Sequence, residues 1–309
     1  MKEVYDLIRR ELDMSALIRM AQRIYLHEAS FSYSAFHESA LFCAESLEAA
    51  GAGEVERIQM PSDGETAFFD CIMPEAWDVE EAVLDIVHPS DEGVKRLADT
   101  RENRFCVANR CAPTPEQGIV AEVITERELD ERREASGTMV FIKDSPPGRI
   151  YRKAVEKGCA GIVSAFSKAP RDLPDGVFWI NGYSGGPGWF HAKEEKKIVC
   201  FSISPRRGDM LERMLGKGQV VRVRAKVKAK LYSGTIDTVT GVISGRGKKE
   251  VAFLSHIYEP MLNDNAAGAA SQIEICRILS TLYETGVVPS PERGIRFIIS
   301  QEVYGFSGF

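Results

Sequence analysis

Two ligand-type side chains follow one short apolar run late in this sequence. Residues 251–254, Val-Ala-Phe-Leu, are short enough for a buried strand, and His256 stands just after them. Asp264 follows a loop, where a helix of small residues begins. Imidazole nitrogen and carboxylate oxygen are both ligands that zinc accepts. Because strand ends and helix starts form the usual ligand-binding edge of an α/β sheet, His256 and Asp264 are a candidate metal site.

Structural roles explain the same residues equally well. The side chain of Asp264 or Asn263 can cap the helix that follows. His256 can be a core histidine whose hydrogen bonds are satisfied within the protein. Two ligands without a fixed spacing form a weak motif, so both interpretations stay open at this point.

A second acidic residue follows a second strand pattern. Residues 296–300 form a buried-strand pattern, Glu302 comes directly after it, and glycines at 305 and 308 permit tight turns. If the two strands are neighbours joined by one helix, His256, Asp264 and Glu302 lie at one edge of the sheet. A carboxylate beside a metal can act as a general base for water. Taken alone, a carboxylate at this place is more often a surface or capping group.

The order of these features resembles that of a known family. Strand, His, loop, Asn-Asp-Asn-Ala-Ala-Gly, helix, strand and Glu-x-x-Gly-x-x-Gly together resemble the zinc aminopeptidases of clan MH, which include bacterial leucine aminopeptidases and the transferrin-receptor fold. The chain is also similar to a bacterial branch of aminopeptidase-like proteins with an inserted protease-associated domain. That similarity rests on Met-Pro-Glu-Ala-Trp-Asp-Val (73–79), Ala-Pro-Thr-Pro (112–115), Ser-His-Ile (255–257) and Asp-Asn-Ala-Ala-Gly (264–268).

The resemblance implies one or two zinc ions and a peptide substrate. His256 would bind one metal, Asp264 would bridge two, and Glu302 would be the general base. The family pattern usually has a second Glu after the base as a ligand, and this chain has Val303 there. The family also takes an acidic ligand and a late His from beyond this point, whereas the sequence stops at Phe309. Two hypotheses follow: a zinc-dependent aminopeptidase-like peptide hydrolase that is incomplete in this chain, or a non-catalytic binding or assembly module with a degenerate metal site.

The patterns predict an α/β fold in three segments. Residues 1–79 and 232–309 are expected to form a peptidase-like domain with a mixed, mostly parallel sheet and flanking helices, phosphorylase/hydrolase-like by resemblance and truncated at the C-terminus. Residues 80–231 are expected to form the inserted protease-associated α/β domain. The last residues follow a buried strand directly, and a parallel sheet needs cover on both faces, so we expect the chain to be part of a longer protein or a truncated relative.

Periodicity supports this division. Residues 2–26 and 34–50 have helical spacing, with Ser15 as a possible cap, and His27 and His37 are predicted to be surface or helix-end histidines. Residues 221–229 alternate strictly with Lys and Arg on one face, which predicts a charged edge strand rather than a nucleic-acid surface. Residues 181–188 are Gly-rich but lack a following Lys-Ser/Thr, so we predict a surface loop and not a phosphate site.

The amino-acid composition indicates which classes of partner and which cellular compartment to expect. The 309 residues carry a formal net charge of −6, which argues against nucleic acid or an anionic membrane. No apolar run approaches the ~20 residues of a membrane span, and the first residues lack an apolar signal core. The 7 cysteines contain no Cys-x-x-Cys pair and indicate free thiols in a reducing compartment, so we predict a cytoplasmic location. The sequence does not determine the oligomeric state, and a homo-oligomer is compatible with it.

Overall fold

The computed structural model describes residues 2–28, 32–90, 95–182 and 193–309. Most of the predicted loop at 181–188 lies outside these ranges. The helices are α1 (Lys2–Glu11), α2 (Met14–His27), α3 (Tyr33–Ala49), α4 (Glu126–Glu131), α5 (Tyr151–Glu156), α6 (Pro205–Gly216), α7 (Ala267–Glu284) and α8 (Tyr304–Gly308). The strands are β1 (Gly53–Ser62), β2 (Ala67–Phe68), β3 (Cys71–Ile72), β4 (Ala76–His88), β5 (Lys95–Asp99), β6 (Ile119–Thr125), β7 (Thr138–Ile142), β8 (Gly161–Ser164), β9 (Val199–Ser202), β10 (Arg222–Tyr232), β11 (Gly234–Ile243), β12 (Glu250–Ile257) and β13 (Gly294–Gln301).

The chain forms two compact units. The first unit combines Met1–Ala76 with Ser233–Phe309, and the second unit is Trp77–Tyr232, inserted between those two parts. Each unit contains a mixed β-sheet and flanking helices, which confirms the predicted α/β class. The identification of the inserted unit as a protease-associated domain stays a prediction.

The sheet of the first unit places the two candidate strands side by side. Its order is β1-β11-β13-β12, with β12 and β13 parallel and β11 antiparallel to both β1 and β13. Helix α7 connects β12 to β13, as the sequence predicts. The Gln272 amide of α7 donates to the carbonyl oxygens of Phe253 and Ile298 at 3.0 and 3.2 Å. These bonds attach the helix to both parallel strands.

The prediction that residues 251–254 form a buried strand is wrong in one respect. They do lie in β12, but β12 is at the edge of the sheet, and Val251 and Leu254 are 46% and 59% exposed. The second strand pattern is confirmed, because Phe297, Ile298 and Ile299 of β13 are buried. The difference arises because β13 has a strand on each side, whereas an apolar run alone does not show which strand lies outermost.

The N-terminal helices begin at side-chain caps. Asp13, not Ser15, caps α2, because its Oδ1 accepts from the Ala16 N–H at 2.9 Å. Ser32 caps α3 in the same way. Helix α3 buries Phe36, Ala40 and Leu47 fully, whereas Leu41, which was predicted to lie on the same apolar face, is 43% exposed.

The second unit has a seven-stranded sheet of order β5-β4-β10-β6-β7-β8-β9, in which β6 to β9 run parallel. Strand β10, predicted as an edge, lies between β4 and β6. Its basic side chains pair with carboxylates of β4, namely Lys226 with Glu81, Lys228 with Glu80 and Lys230 with Asp78. The prediction that β10 is an edge strand is wrong. Its lysines were expected to be surrounded by solvent, whereas carboxylates of the neighbouring strand β4 pair with them.

The cysteines are all free, and six of the 7 are buried, with Cys71 partly exposed. The prediction of free thiols is therefore confirmed, while the compartment it was used to infer stays a prediction. None of the helices in the described ranges combines the length and the apolar character that a bilayer crossing requires.

Candidate metal centre

His256 lies one residue before the end of β12, opposite Ser300 of β13. Its side chain is 22% exposed, and its Nε2 atom is buried without a hydrogen-bond partner. A buried polar nitrogen of this kind is costly unless another group satisfies it. A core histidine was expected to have its hydrogen bonds satisfied within the protein. The Nε2 atom of His256 has no such bond, which disfavours that interpretation.

The chain turns sharply just after β12. Tyr258 has a φ of 102°, in a region that residues with a side chain rarely adopt. Its backbone N–H donates to Oε1 of buried Glu28 at 2.6 Å. The turn brings Glu259 back toward the strand, so that its Oε2 lies 3.5 Å from His256 Nε2. Sequence reasoning missed Glu259, and the available signal was the His-x-x-Glu spacing at a strand end.

Asp264 lies in an irregular turn, Leu262–Ala266, that precedes α7. Its Oδ1 is 3.2 Å from His256 Nε2, and its side chain is 67% exposed. The N-cap position of α7 is Ala266, and no side chain caps the helix. The capping role that competed with metal binding is therefore not the role of Asp264 or Asn263 in this structure.

Glu302 follows β13 directly, at the same edge of the sheet as His256, and is exposed. The next residue, Val303, has φ 61° and ψ −70°, and the Tyr304 N–H donates to the Glu302 carbonyl at 2.7 Å. This is a γ-turn with positive φ, a strained conformation for a β-branched residue. It ends the strand abruptly and leaves the Glu302 side chain beyond it.

The predicted residues do meet at one edge, but the tightest group differs from the predicted one. One ligand atom from each of His256, Glu259 and Glu302 can be chosen so that all lie within 4.8 Å of one another. Asp264 contacts His256 and is not part of that group. The metal-ligand roles of His256 and Asp264 and the catalytic role of Glu302 stay predictions.

The charges around His256 favour a cation. Burial lowers the pKa of His256, but the carboxylates of Glu259, Glu302 and Asp264 raise it by more, so that the pKa lies above its ordinary value. Neither carboxylate near Nε2 makes a hydrogen bond of good geometry with it. One imidazole nitrogen and three carboxylates form a donor set that fits zinc or a similar divalent metal.

Comparisons with known proteins identify the fold. No protein-family model matches the sequence, and no curated protein matches it either. Among solved structures, the Peptidase M28 precursor from Shewanella amazonensis SB2B has a TM-score of 0.65 at 15% identity, over 98% of this chain and 68% of that one. An aminopeptidase from Aneurinibacillus sp. strain AM-1 has a TM-score of 0.55 at 16% identity, over 95% and 63%. The zinc aminopeptidase BSAP from Bacillus subtilis has a TM-score of 0.53 at 20% identity, over 90% and 60%.

This chain thus spans about two thirds or less of each of these structures. At such low identity the likeness shows the fold and not the activity. The α/β fold of this chain is therefore that of the zinc aminopeptidases and related peptidases.

Proposed function

We propose that this chain is a zinc-dependent, aminopeptidase-like peptide hydrolase. The observation that supports it is the convergence of His256, Glu259 and Glu302 at the carboxyl ends of the parallel strands β12 and β13. Ligands usually bind at this edge of an α/β sheet. The fold, shared with zinc aminopeptidases, adds independent support.

Each side chain has a definite task in this proposal. His256 and Asp264 would hold the zinc, which when bound polarises the peptide carbonyl and makes water a better nucleophile. Glu302 would accept the proton from the attacking water as the new C–O bond forms. It would then return that proton to the leaving amine as the C–N bond breaks. The exposure of Glu302 keeps its carboxylate accessible to a peptide substrate.

The proposal also includes an assignment of the unit Trp77–Tyr232 and a cellular location. We assign that unit as the protease-associated domain, and its mixed sheet and its position as an insertion support the assignment. The free cysteines support a cytoplasmic location.

A non-catalytic binding or assembly module is the second candidate. It is favoured by Val303, which occupies the position where the resemblance expects a carboxylate ligand. Under this alternative the chain binds a peptide or partner protein and hydrolyses nothing.

The test is hydrolysis of aminoacyl-4-nitroanilides by the purified chain, with added Zn²⁺, Co²⁺ or Mn²⁺ and metal content measured by elemental analysis. We expect metal-dependent release of 4-nitroaniline that His256→Ala abolishes. Glu302→Gln should lower the rate by about 10²- to 10⁴-fold without removing the metal. The control is His27→Ala, at the end of α2. Activity that survives His256→Ala contradicts the proposal, and bound metal without hydrolysis supports the second candidate.

A further inference from the structure

We infer that Glu259 is a further protein ligand of the metal, in addition to His256 and Asp264, and that Glu28 positions it through the turn at Tyr258. This inference rests on the proposed function, because it concerns the same site. The metal site then includes the pair His256 and Glu259, which lie on either side of the end of β12. Glu302 lies close to this pair, and Asp264 is its exposed neighbour.

The distances fit one ion. Zinc binds nitrogen and oxygen at about 2.0–2.2 Å, so two donors on one tetrahedral zinc lie roughly 3.4 Å apart. His256 Nε2 and Glu259 Oε2 are 3.5 Å apart. One ligand atom each of His256, Glu259 and Glu302 can be chosen so that all three lie within 4.8 Å of one another, which is close enough for one ion to contact all three side chains after a small movement.

Burial distinguishes Glu259 from Asp264. The Glu259 side chain is 13% exposed, and the Asp264 side chain is 67% exposed. Removing a carboxylate from water is costly unless a cation lies beside it. Glu259 therefore gains more than Asp264 from a metal cation bound beside it, because water can solvate the exposed Asp264 carboxylate.

The backbone that presents Glu259 is fixed from a distant part of the chain. Tyr258 adopts its unfavourable φ while its N–H donates to Glu28, which is 1% exposed. Such backbone conformations persist only where the surroundings hold them. The other oxygen of Glu28, Oε2, is buried as well. Glu28 thus accepts the hydrogen bond of the turn that brings Glu259 to His256.

This arrangement also explains how the site can exist with Val303 after Glu302. A chain that lacks a carboxylate at that position needs a replacement ligand from another element. Glu259 supplies one from the turn just after the neighbouring parallel strand, three residues after His256.

The test is metal binding by the full chain, independent of activity. Metal-free protein is titrated with Co²⁺, followed by visible absorption, and then with Zn²⁺ in competition. We expect Glu259→Gln to weaken Co²⁺ binding by more than the ~10- to 100-fold typical of lost outer-shell partners, and to change the Co²⁺ spectrum. Glu259→Asp, which keeps the charge on a shorter side chain, should fall between Glu259→Gln and the original chain. The matched control is Glu292→Gln, a change to an exposed carboxylate that pairs with Arg246.

Glu28 is tested in the same titration with two variants. Glu28→Gln keeps an oxygen acceptor for the Tyr258 N–H, so we expect its Co²⁺ affinity to equal that of the original chain. Glu28→Leu removes the acceptor, and we expect its Co²⁺ affinity to fall about tenfold or more. Circular dichroism and thermal unfolding of the metal-free variants establish that each one folds.

The outcomes separate the two proposals. If Glu259→Gln binds Co²⁺ as tightly as the original chain does, the ligand role of Glu259 is overturned, while the proposed function stands on the other residues. Equal loss in both Glu28 variants overturns the positioning role. If the original chain binds no metal at all, both the inference and the proposed function fail.

Discussion

The carboxylate of Glu28 accepts a 2.6 Å hydrogen bond from the backbone N–H of Tyr258, which lies 230 residues further along the chain. The bond joins the segment after α2 to the end of β12, two residues beyond His256. Burial raises the pKa of Glu28 to about 8, in spite of this hydrogen bond and the nearby charge of His256.

The raised pKa predicts a specific pH dependence in metal-free protein. Between about pH 4.5 and pH 8 the folded chain keeps a proton on Glu28 that the unfolded chain has released. The folded state therefore binds more protons, and the free energy of unfolding falls as pH rises through this window. The stability lost through Glu28 over this window is on the order of 5 kcal/mol at its upper limit. Glu28→Gln should flatten this dependence, measured by urea unfolding from pH 5 to pH 8.5 with a chelator present. Glu38→Gln, an exposed change on α3, is the control and should leave the slope unchanged.

Replacing Val303 by glycine should stabilise the chain. Val303 is strained at φ 61° and is 37% exposed, so the change removes strain and few contacts. Strain of this kind costs about 1–3 kcal/mol, and the extra freedom of glycine in the unfolded chain offsets up to about 1 kcal/mol. We expect a net gain of about 1 kcal/mol in urea unfolding. Val303→Ala keeps the strained φ and should show no gain, so equal stabilities of the two variants would contradict the explanation.

Asp237 should be a strong contributor to stability. Its carboxylate is fully buried, lies 2.7 Å from His37 Nδ1, and accepts from the Gln59 amide at 2.9 Å. His37, predicted as a surface or helix-end histidine, instead binds this buried charge. Asp237→Ala leaves its partners without an acceptor and should cost about 3 kcal/mol. Gln59→Ala removes one hydrogen bond and should cost about 1 kcal/mol. Similar losses in the two variants, measured by urea unfolding, would show that the charge is not the main contribution.

The cysteines should react in two distinct classes. Cys71 is partly exposed, whereas the other six thiols are buried, and burial raises the pKa of each buried thiol, for example that of Cys276 to about 11. Thiols react as thiolates, so burial and a raised pKa both slow them. Titration of the folded chain with Ellman's reagent should show one fast thiol, and all 7 should react in urea. Cys71→Ser should remove the fast phase, and a remaining fast phase would locate the exposed thiol elsewhere.

Local sequence patterns were sufficient to predict much of the candidate metal site. An apolar run, His256, a small-residue helix start and a second run before Glu302 predicted two strands joined by a helix. Parallel neighbours with a helical crossover are the usual result of that order, so the meeting of His256, Asp264 and Glu302 at one edge could be predicted. These features depend on residues near one another in sequence, where periodicity carries the information.

Other features depend on partners from distant segments. The exposure of β12 and the internal position of β10 follow from strand order, which no single strand pattern records. His37 has a buried role only because β11 places Asp237 beside α3. Glu259 reaches His256 only because Tyr258 adopts a φ of 102°, and no local pattern favours that conformation. The hydrogen bond that stabilises this turn is accepted by Glu28, 230 residues away from Tyr258. The sequence by itself therefore determined which strands and candidate ligands meet, whereas the tertiary structure decided which carboxylate lies buried against the histidine, because a strained turn forms only where a distant side chain holds it.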